Sequence, residues 1–491
     1  MESVPTSRVR VARDLPPAPG DFVLYWMIAN RRFRSNFALQ RAAGWARELG
    51  KPLVVLEALR VGYRWSSPRL HRFVIDGMVD NRRTAEKHGV LYYPYLALRA
   101  GDGHRLLEAL SSRASVVVTD EFPCFFLPRM VDAASRRSSV RFEVVDSNGL
   151  LPIRSVDRAF PTAFAFRRTL QRLLPDQLDE FPLTEPLQDV GRPRRAALPE
   201  AVVKRWPVAN LDAVDLSRFE LETETPVVGT PGGSTAADGV CRAMIAKLSG
   251  YDEHRNQPEA QATSGLSPYL HFGHISAHEV VGAILESEGW TPDRLGPATS
   301  GKRSGWWGLS GPAEAFLDQI VTWRELGYVT CAHTDDYARY DGLPEWARET
   351  LSQHGDDPRV PRYSPEEMER SATHDPIWNA AQNQLRREGT IHNYLRMLWG
   401  KKILQWSGSP REAFDVMVDL NNRYALDGRN PNSYSGIGWV LGRYDRPWGP
   451  ERPIFGKIRY MTSENTARKL RLDPYLERYG ESTTEEQGTL F

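Results

Sequence analysis

The 491-residue sequence predicts an α/β N-terminal domain, Rossmann-like with a parallel sheet, followed by a mainly α-helical domain. Three observations carry this. Short apolar runs of strand type alternate with helix-period stretches up to about residue 175. A segment rich in proline, charge and small residues follows. Beyond residue 238 the strand signal largely vanishes, and the segments become helical in period with frequent Trp, Tyr and His. The expected organisation is therefore 20–175 as the α/β domain, 176–238 as a linker with little structure of its own, 239–475 as the helical domain, and 476–491 as a polar, disordered tail.

The elements follow in order. FVLYWMI (22–28) is a strand, and SNFALQRAAGWARELG (35–50) is a helix closed by a terminal glycine. PLVVLEAL is the second strand, and SPRLHRFVIDGMVDNRRTAEKHG is a long helix. VLYYPYL is a strand, residues 103–112 a helix, and ASVVVTDEF and RFEVVDSN are the last two strands. Ligands of such sheets sit at the carboxyl ends of the strands. There is no GxGxxG and no GxxxxGK[ST], so a dinucleotide fingerprint and a phosphate loop are unsupported. The 289–312 segment, containing GKRSGWWGLSG, reads as a loop insertion.

Composition excludes several classes. Lys+Arg number 63 and Asp+Glu 62, so the chain is no general polyanion coat. No apolar run spans a bilayer, and the N-terminus lacks the apolar core of a signal peptide. Cys124, Cys241 and Cys331 are scattered without a CxxC, which argues against disulfides and a metal site and fits a reducing, cytoplasmic setting, nucleoid-associated if bacterial.

The stretch 378–439 is the richest in chemistry. Trp399 and Trp406 lie seven residues apart, on one helical face and about 10 Å apart along the axis, with Trp378 preceding them. Core packing is the ordinary role of a single tryptophan, but each buried indole needs a partner for its N–H. A row of them among arginines, asparagines and a DGR turn suggests a route for electrons. SGLSPYLHFGHIS (264–276) resembles the flavin-phosphate segment of the photolyase–cryptochrome superfamily. WNAAQNQL, RMLWGKKILQW, LNNRYALDGRNPN and FGKIRYM (455–461) together resemble the class II cyclobutane pyrimidine dimer DNA photolyases. The resemblance covers nearly all of 236–475, and 20–175 only by pattern and LYWM.

That resemblance implies an antenna-type N-terminal domain, FAD as cofactor, and light-driven electron transfer to a pyrimidine dimer flipped out of DNA. It allows a second, antenna chromophore of deazaflavin or folate type, and a monomer. It places Tyr251, Thr263, Ser264, Gly265, Leu266 and Ser267 at the FAD phosphates, although TSGLS is also an ordinary helix start. Asn421 falls by flavin N5, where a neutral amide suits a ring that changes charge and a carboxylate would oppose the anionic reduced form. Asp427, Gly428 and Arg429 fall at the isoalloxazine, with Asp427 paired to Arg396. Trp378, Trp399 and Trp406 match the relay, in an order the sequence leaves open. Gln319 and Trp323, four apart on one helical face, fall with Met397 and Trp439 at the lesion. The family's usual residue at 319 is glutamate; here it is Gln, with Asp318 one place earlier.

Residues 378–460 hold 13 Lys/Arg against 7 Asp/Glu, a local excess suited to DNA phosphates. Arg429, Arg443, Lys457 and Arg459 are its candidate DNA contacts. The competing function, from another class, is a cryptochrome-like photoreceptor that keeps FAD and the relay but has lost repair. Gln319 keeps that reading open.

Overall fold

A computed structural model describes residues 4–188, 198–223, 225–297 and 299–480. The chain divides into two compact units. One comprises Met1–Ala159, Phe164–Ala246 and Ser264–His333; the other Phe160–Ala163, Lys247–Thr263 and Thr334–Phe491.

The first unit is built on a six-stranded sheet: β1 (Val9–Arg13), β2 (Phe22–Met27), β3 (Leu53–Leu59), β4 (Leu91–Leu96), β5 (Ala114–Asp120) and β6 (Arg141–Val145), in the order β1-β6-β5-β2-β3-β4. β2 through β6 are parallel, as their near-continuous apolar runs require of strands covered on both faces. Every residue of β2 and of β5 is buried. Several elements escaped the sequence reading, the helix Ala163–Leu173 among them. β1, VRVAR, is a half-exposed strand antiparallel to β6 at the sheet edge. The helix Leu127–Arg137 carries Leu127, Met130, Val131 and Ala134 at helical spacing, a short stripe that the sequence reading passed over.

The connector is more structured than its composition suggests. It contains the helix Glu200–Arg205, and Trp206, Leu211 and Phe219 are buried. Ala209 N–H donates to Pro94 O, and Glu220 N–H to Leu98 O. This covers the open edge of β4, where Pro94 can sit because an edge strand tolerates a missing N–H. Residues 189–197 of the expected linker and 481–491 of the expected tail lie outside the described residues. The start of that tail is helical, Asp473–Tyr479, with Tyr479 buried and its hydroxyl donating to Glu388.

The strand order reverses between β2 and β5, the place where open α/β sheets bind ligands. Here protein fills that crevice. Asp120 accepts the N–H groups of Ile28, Ala29 and Asn30, and a cavity of about 10 Å³ among Asn30, Arg32, Ser147, Asn148, His271 and Arg324 has room for roughly one water. Beside it, His274 is fully buried, accepts the Gly233 N–H at Nδ1, and occupies space that a Cβ on Gly77 would take.

Burial, reinforced by Arg31 and Arg32, pushes the His274 ring down to about 3. The ring is neutral when folded and takes a proton in the unfolded chain below the ordinary histidine value of about 6.5. Its stabilisation is therefore present above that value and is lost as pH falls towards 3, at up to about 1.4 kcal/mol per pH unit. In His274→Gln, which keeps an acceptor for Gly233, the dependence of unfolding free energy on pH between these limits should be visibly shallower. An unchanged slope would remove His274 as a source of acid lability.

Candidate functional site

In the second unit, four helices carry most of the named residues: Pro376–Glu388, Asn393–Trp406, Pro410–Tyr424 and Pro431–Val440. Asp375 caps the first by accepting the Ile377 and Trp378 N–H groups, with Pro376 at its first position. Gly389, at positive φ, ends it. Trp378 thus stands on its own helix, separate from that of Trp399 and Trp406.

The three indoles form a connected row. Trp378 is completely buried, its Nε1 donates to the Trp399 carbonyl at 3.0 Å, and its ring meets that of Trp406 edge-on at 5.4 Å. Trp399 Nε1 donates to Gln382 Oε1 at 2.9 Å. Trp378 is therefore the middle member. Trp406, 1% exposed, has no acceptor for its Nε1 among the described residues. The Lys402 ammonium, 3.3 Å from Asp375, lies 5.5 Å from the Trp406 ring centre. Beyond Trp406 come Tyr363 and His374, whose rings lie 5.3 Å and 5.6 Å from it. The sequence reading passed over both.

Asn421 is buried near the end of its helix, and its amide donates to Asn422 Oδ1, which also accepts the Arg429 N–H. The turn after it needs its glycine: a Cβ on Gly428 would lie 2.9 Å from Asn421 O and 3.0 Å from Ala425 O. Arg429, next in the chain, adopts φ of 63° and is buried. Arg396 and Asp427 approach to 3.5 Å, as the sequence suggested. That contact is no good hydrogen bond, and it leaves Asp427 Oδ1 and Arg396 Nε buried without a hydrogen-bond partner among the described residues. Such orphaned charged atoms are costly unless something else meets them. Arg396 stands one helical turn before Trp399, so the pair marks the Trp399 end of the row.

The phosphate-segment candidates divide between units. Tyr251 is buried and Thr263 exposed in the second. In the first, Ser264 Oγ accepts the Leu266 N–H, Gly265 has positive φ, and Ser267 opens the helix Ser267–Phe272 without a side-chain cap bond. The exposed hydroxyls of Thr263 and Ser267 thus remain available.

Gln319 and Trp323 lie in the first unit on a π-helical turn, Asp318–Trp323. Wide turns of this kind are rare and concentrate at functional sites. Both side chains are half-buried, and the Gln319 amide bonds to no described residue. Asp318 cannot stand in for the missing carboxylate: it is buried and held by Arg167 Nε at 2.8 Å. Met397 and Trp439 are half-buried in the second unit.

The basic excess is mostly spent internally. Lys401 is buried, with its ammonium donating to Val440 O. Arg411 pairs with Asp341, and Arg423 with Asp419 and Glu369. Arg443, 4% exposed, donates to the carbonyls of Tyr337, Tyr434 and Gly342, so it fastens loops rather than presenting a cation. Arg459 lies over Trp448 at 4.2 Å and Trp439 at 5.7 Å, beside Asp445. Lys457 is exposed and pairs with exposed Glu451. Arg446 and Arg452, which the sequence reading did not single out, are exposed over Trp448 and Tyr460.

Among the described residues no cluster of potential metal ligands forms, and no helix is long and apolar enough to cross a membrane. No protein-family model matches the sequence. Whole-chain relatives do. The deoxyribodipyrimidine photo-lyase of Methanothermobacter thermautotrophicus is 34% identical over 94% of this chain and 95% of its own. That of Oryza sativa is 32% identical over 96% and 90%. Among solved structures, a bacterial class III photolyase from Agrobacterium tumefaciens superposes with a TM-score of 0.67 at 20% identity, covering 94% of this chain and 87% of that one. The Synechocystis cryptochrome gives 0.65 at 14% identity, covering 95% and 89%.

Proposed function

The chain belongs to the photolyase–cryptochrome family, with deoxyribodipyrimidine photo-lyases as its whole-length relatives, and from that premise we propose a class II enzyme that splits cyclobutane pyrimidine dimers in DNA by light, using FAD. The observation that carries the cofactor assignment is the Arg396–Asp427 pair, with buried polar atoms left unmet at one end of the Trp399–Trp378–Trp406 row. A flavin ring is rich in acceptors and has an N–H, and so offers partners to both side chains. When bound, reduced flavin supplies the electron that opens the cyclobutane ring, chemistry outside the reach of side chains.

The chain's own residues position and tune. Pairing with Arg396 keeps Asp427 from presenting a bare negative charge, and Asn421 adds a neutral amide where a second carboxylate would oppose negative charge. Gly428 lets the turn pack flat against the preceding helix. Thr263, Ser264 and Ser267, with Tyr251, are the proposed diphosphate contacts. The three indoles carry electrons inward from the Trp406 end. Gln319, Trp323, Met397 and Trp439 are the proposed dimer contacts. The helical domain 239–475 follows from the same resemblance.

The purified protein should hold about one FAD per chain without a covalent link, and Asp427→Asn should lower that occupancy by removing the charge that faces Arg396. The deciding test is a dimer-containing oligonucleotide incubated with reduced protein in light and in darkness. Repair in light alone supports the proposal. Stoichiometric FAD with photoreduction and no repair would favour the photoreceptor, the reading Gln319 keeps open.

For DNA, Lys457 with Arg446 and Arg452 is the proposed phosphate-contacting group. Lys457→Gln should make the dependence of log K on log salt shallower by about 0.9. A triple substitution that leaves the slope untouched would place DNA on another surface.

A further inference from the structure

The tryptophan row ends in a cul-de-sac at Trp406. Its indole is 1% exposed, and among the described residues nothing accepts from its Nε1. The Lys402 ammonium 5.5 Å from the ring opposes positive charge on it, and that ammonium's partner, Asp375, is already engaged by Ser463 and two backbone N–H groups. Positive charge on Trp406 is thus poorly stabilised by its protein neighbours.

One oxidisable group adjoins it on the outer side. The Tyr363 ring meets Trp406 edge-on at 5.3 Å, and the Tyr363 N–H donates to the Trp406 carbonyl at 3.4 Å. The Tyr363 hydroxyl lies 2.7 Å from Nδ1 of His374 and accepts the His374 backbone N–H at 2.9 Å. The imidazole stacks on the phenol at 5.9 Å and 20°. One residue therefore grips the phenol oxygen twice. With Nδ1 the unprotonated ring nitrogen, the phenolic O–H donates to it. Tyr363 is half-buried and His374 exposed, so this pair, and not Trp406, meets solvent.

We propose that Tyr363 is the terminal electron donor of the relay and His374 the base that makes it one. An electron passes from Tyr363 to the Trp406 radical cation while the phenolic proton moves to His374 Nδ1. The products are neutral Trp406, a neutral tyrosyl radical and an imidazolium that can release its Nε2 proton to water. An external one-electron donor, such as a thiol, then restores Tyr363. A phenol is a poor donor if its proton must stay and a good one if it leaves with the electron, and the 2.7 Å contact provides that path.

The inference rests on the relay reading above, and the test separates the two. Oxidised holoprotein is illuminated, and the radical is identified by electron paramagnetic resonance in H2O and D2O. This is done for wild type, Tyr363→Phe, and His374→Gln, which keeps an acceptor but no base. A tyrosyl signal is expected in wild type, slower to form in D2O, and lost in both variants. An indole radical that recombines rapidly should replace it. In darkness, 15N resonances should show His374 protonated at Nε2 and accepting at Nδ1. A tyrosyl signal that survives Tyr363→Phe, or a wild-type radical confined to indoles, overturns the proposal and leaves the relay standing. A tyrosyl signal undiminished in His374→Gln overturns the role of the base. Absence of any photoreduction in wild type defeats the relay reading, and this inference with it.

Discussion

Trp378→Phe should keep its fold and its FAD, and lose photoreduction of the oxidised flavin by at least about a hundredfold. Trp378 is the only one of the three indoles that touches both others, by a hydrogen bond to the Trp399 carbonyl and by ring contact with Trp406. A benzene ring is far harder to oxidise than an indole. Every 1.4 kcal/mol or so added to a hop slows it about tenfold, so an increment of roughly 3 kcal/mol already gives the stated loss. Truncation within a completely buried site costs about 1–3 kcal/mol of stability through lost volume and one lost hydrogen bond. The ring remains, so the variant should be soluble. Dithionite-reduced variant should still repair DNA normally, because relay and repair are separate tasks. Photoreduction at the wild-type rate would make the three indoles mere core. A variant that also loses FAD would say that Trp378 holds the site together and would leave electron transfer undecided by this substitution, so Trp399→Phe is the companion measurement.

That prediction needed the structure, because the sequence shows Trp399 and Trp406 on one face but places Trp378 only before them. A tight turn at Gly389 folds the helix of Trp378 back against theirs, and no helical periodicity encodes which carbonyl an indole will reach. The five parallel strands were legible, since strands buried on both faces are written as unbroken apolar runs. β1 was not, because VRVAR is short, half-exposed and held by an edge pairing with β6. The connector looked unstructured for a related reason: its bonds are made to backbone atoms of β4 and the loop after it, and such bonds leave no compositional trace. Charge was legible in number only. Arg443 counts as a cation in the sequence, yet three carbonyls consume it, while Arg446 and Arg452 reach the surface on the same loop. The Arg396–Asp427 contact was anticipated through resemblance; the atoms it leaves unmet were visible only in three dimensions.

Gln319→Glu should raise the quantum yield of dimer repair if this is a working photolyase with a weakened lesion contact. The amide sits on a π-helical turn beside Trp323, half-buried and bonded to no described residue, at the position proposed to meet the dimer. No neighbouring carboxylate compensates for it. Asp318 is fixed to Arg167 and 7% exposed, so its charge is spent inside the fold. A carboxyl group at 319 could donate or share a proton as negative charge develops on the pyrimidine, whereas the amide offers only its N–H dipole. Hydrogen bonds to charged groups contribute about 1.5–3 kcal/mol against about 1 for neutral ones, so the gain is up to roughly 2 kcal/mol of stabilisation in the charged state. That difference should slow the return of the electron relative to ring opening. It should leave FAD occupancy and the salt slope of DNA binding unchanged, which separates it from a general effect on folding or charge. Equal yields in an already efficient wild type would show that the amide suffices. A wild type without repair, unrescued by glutamate but still photoreducing its flavin through Trp399, Trp378 and Trp406, would mark the chain as a photoreceptor in which the lesion site has been given up.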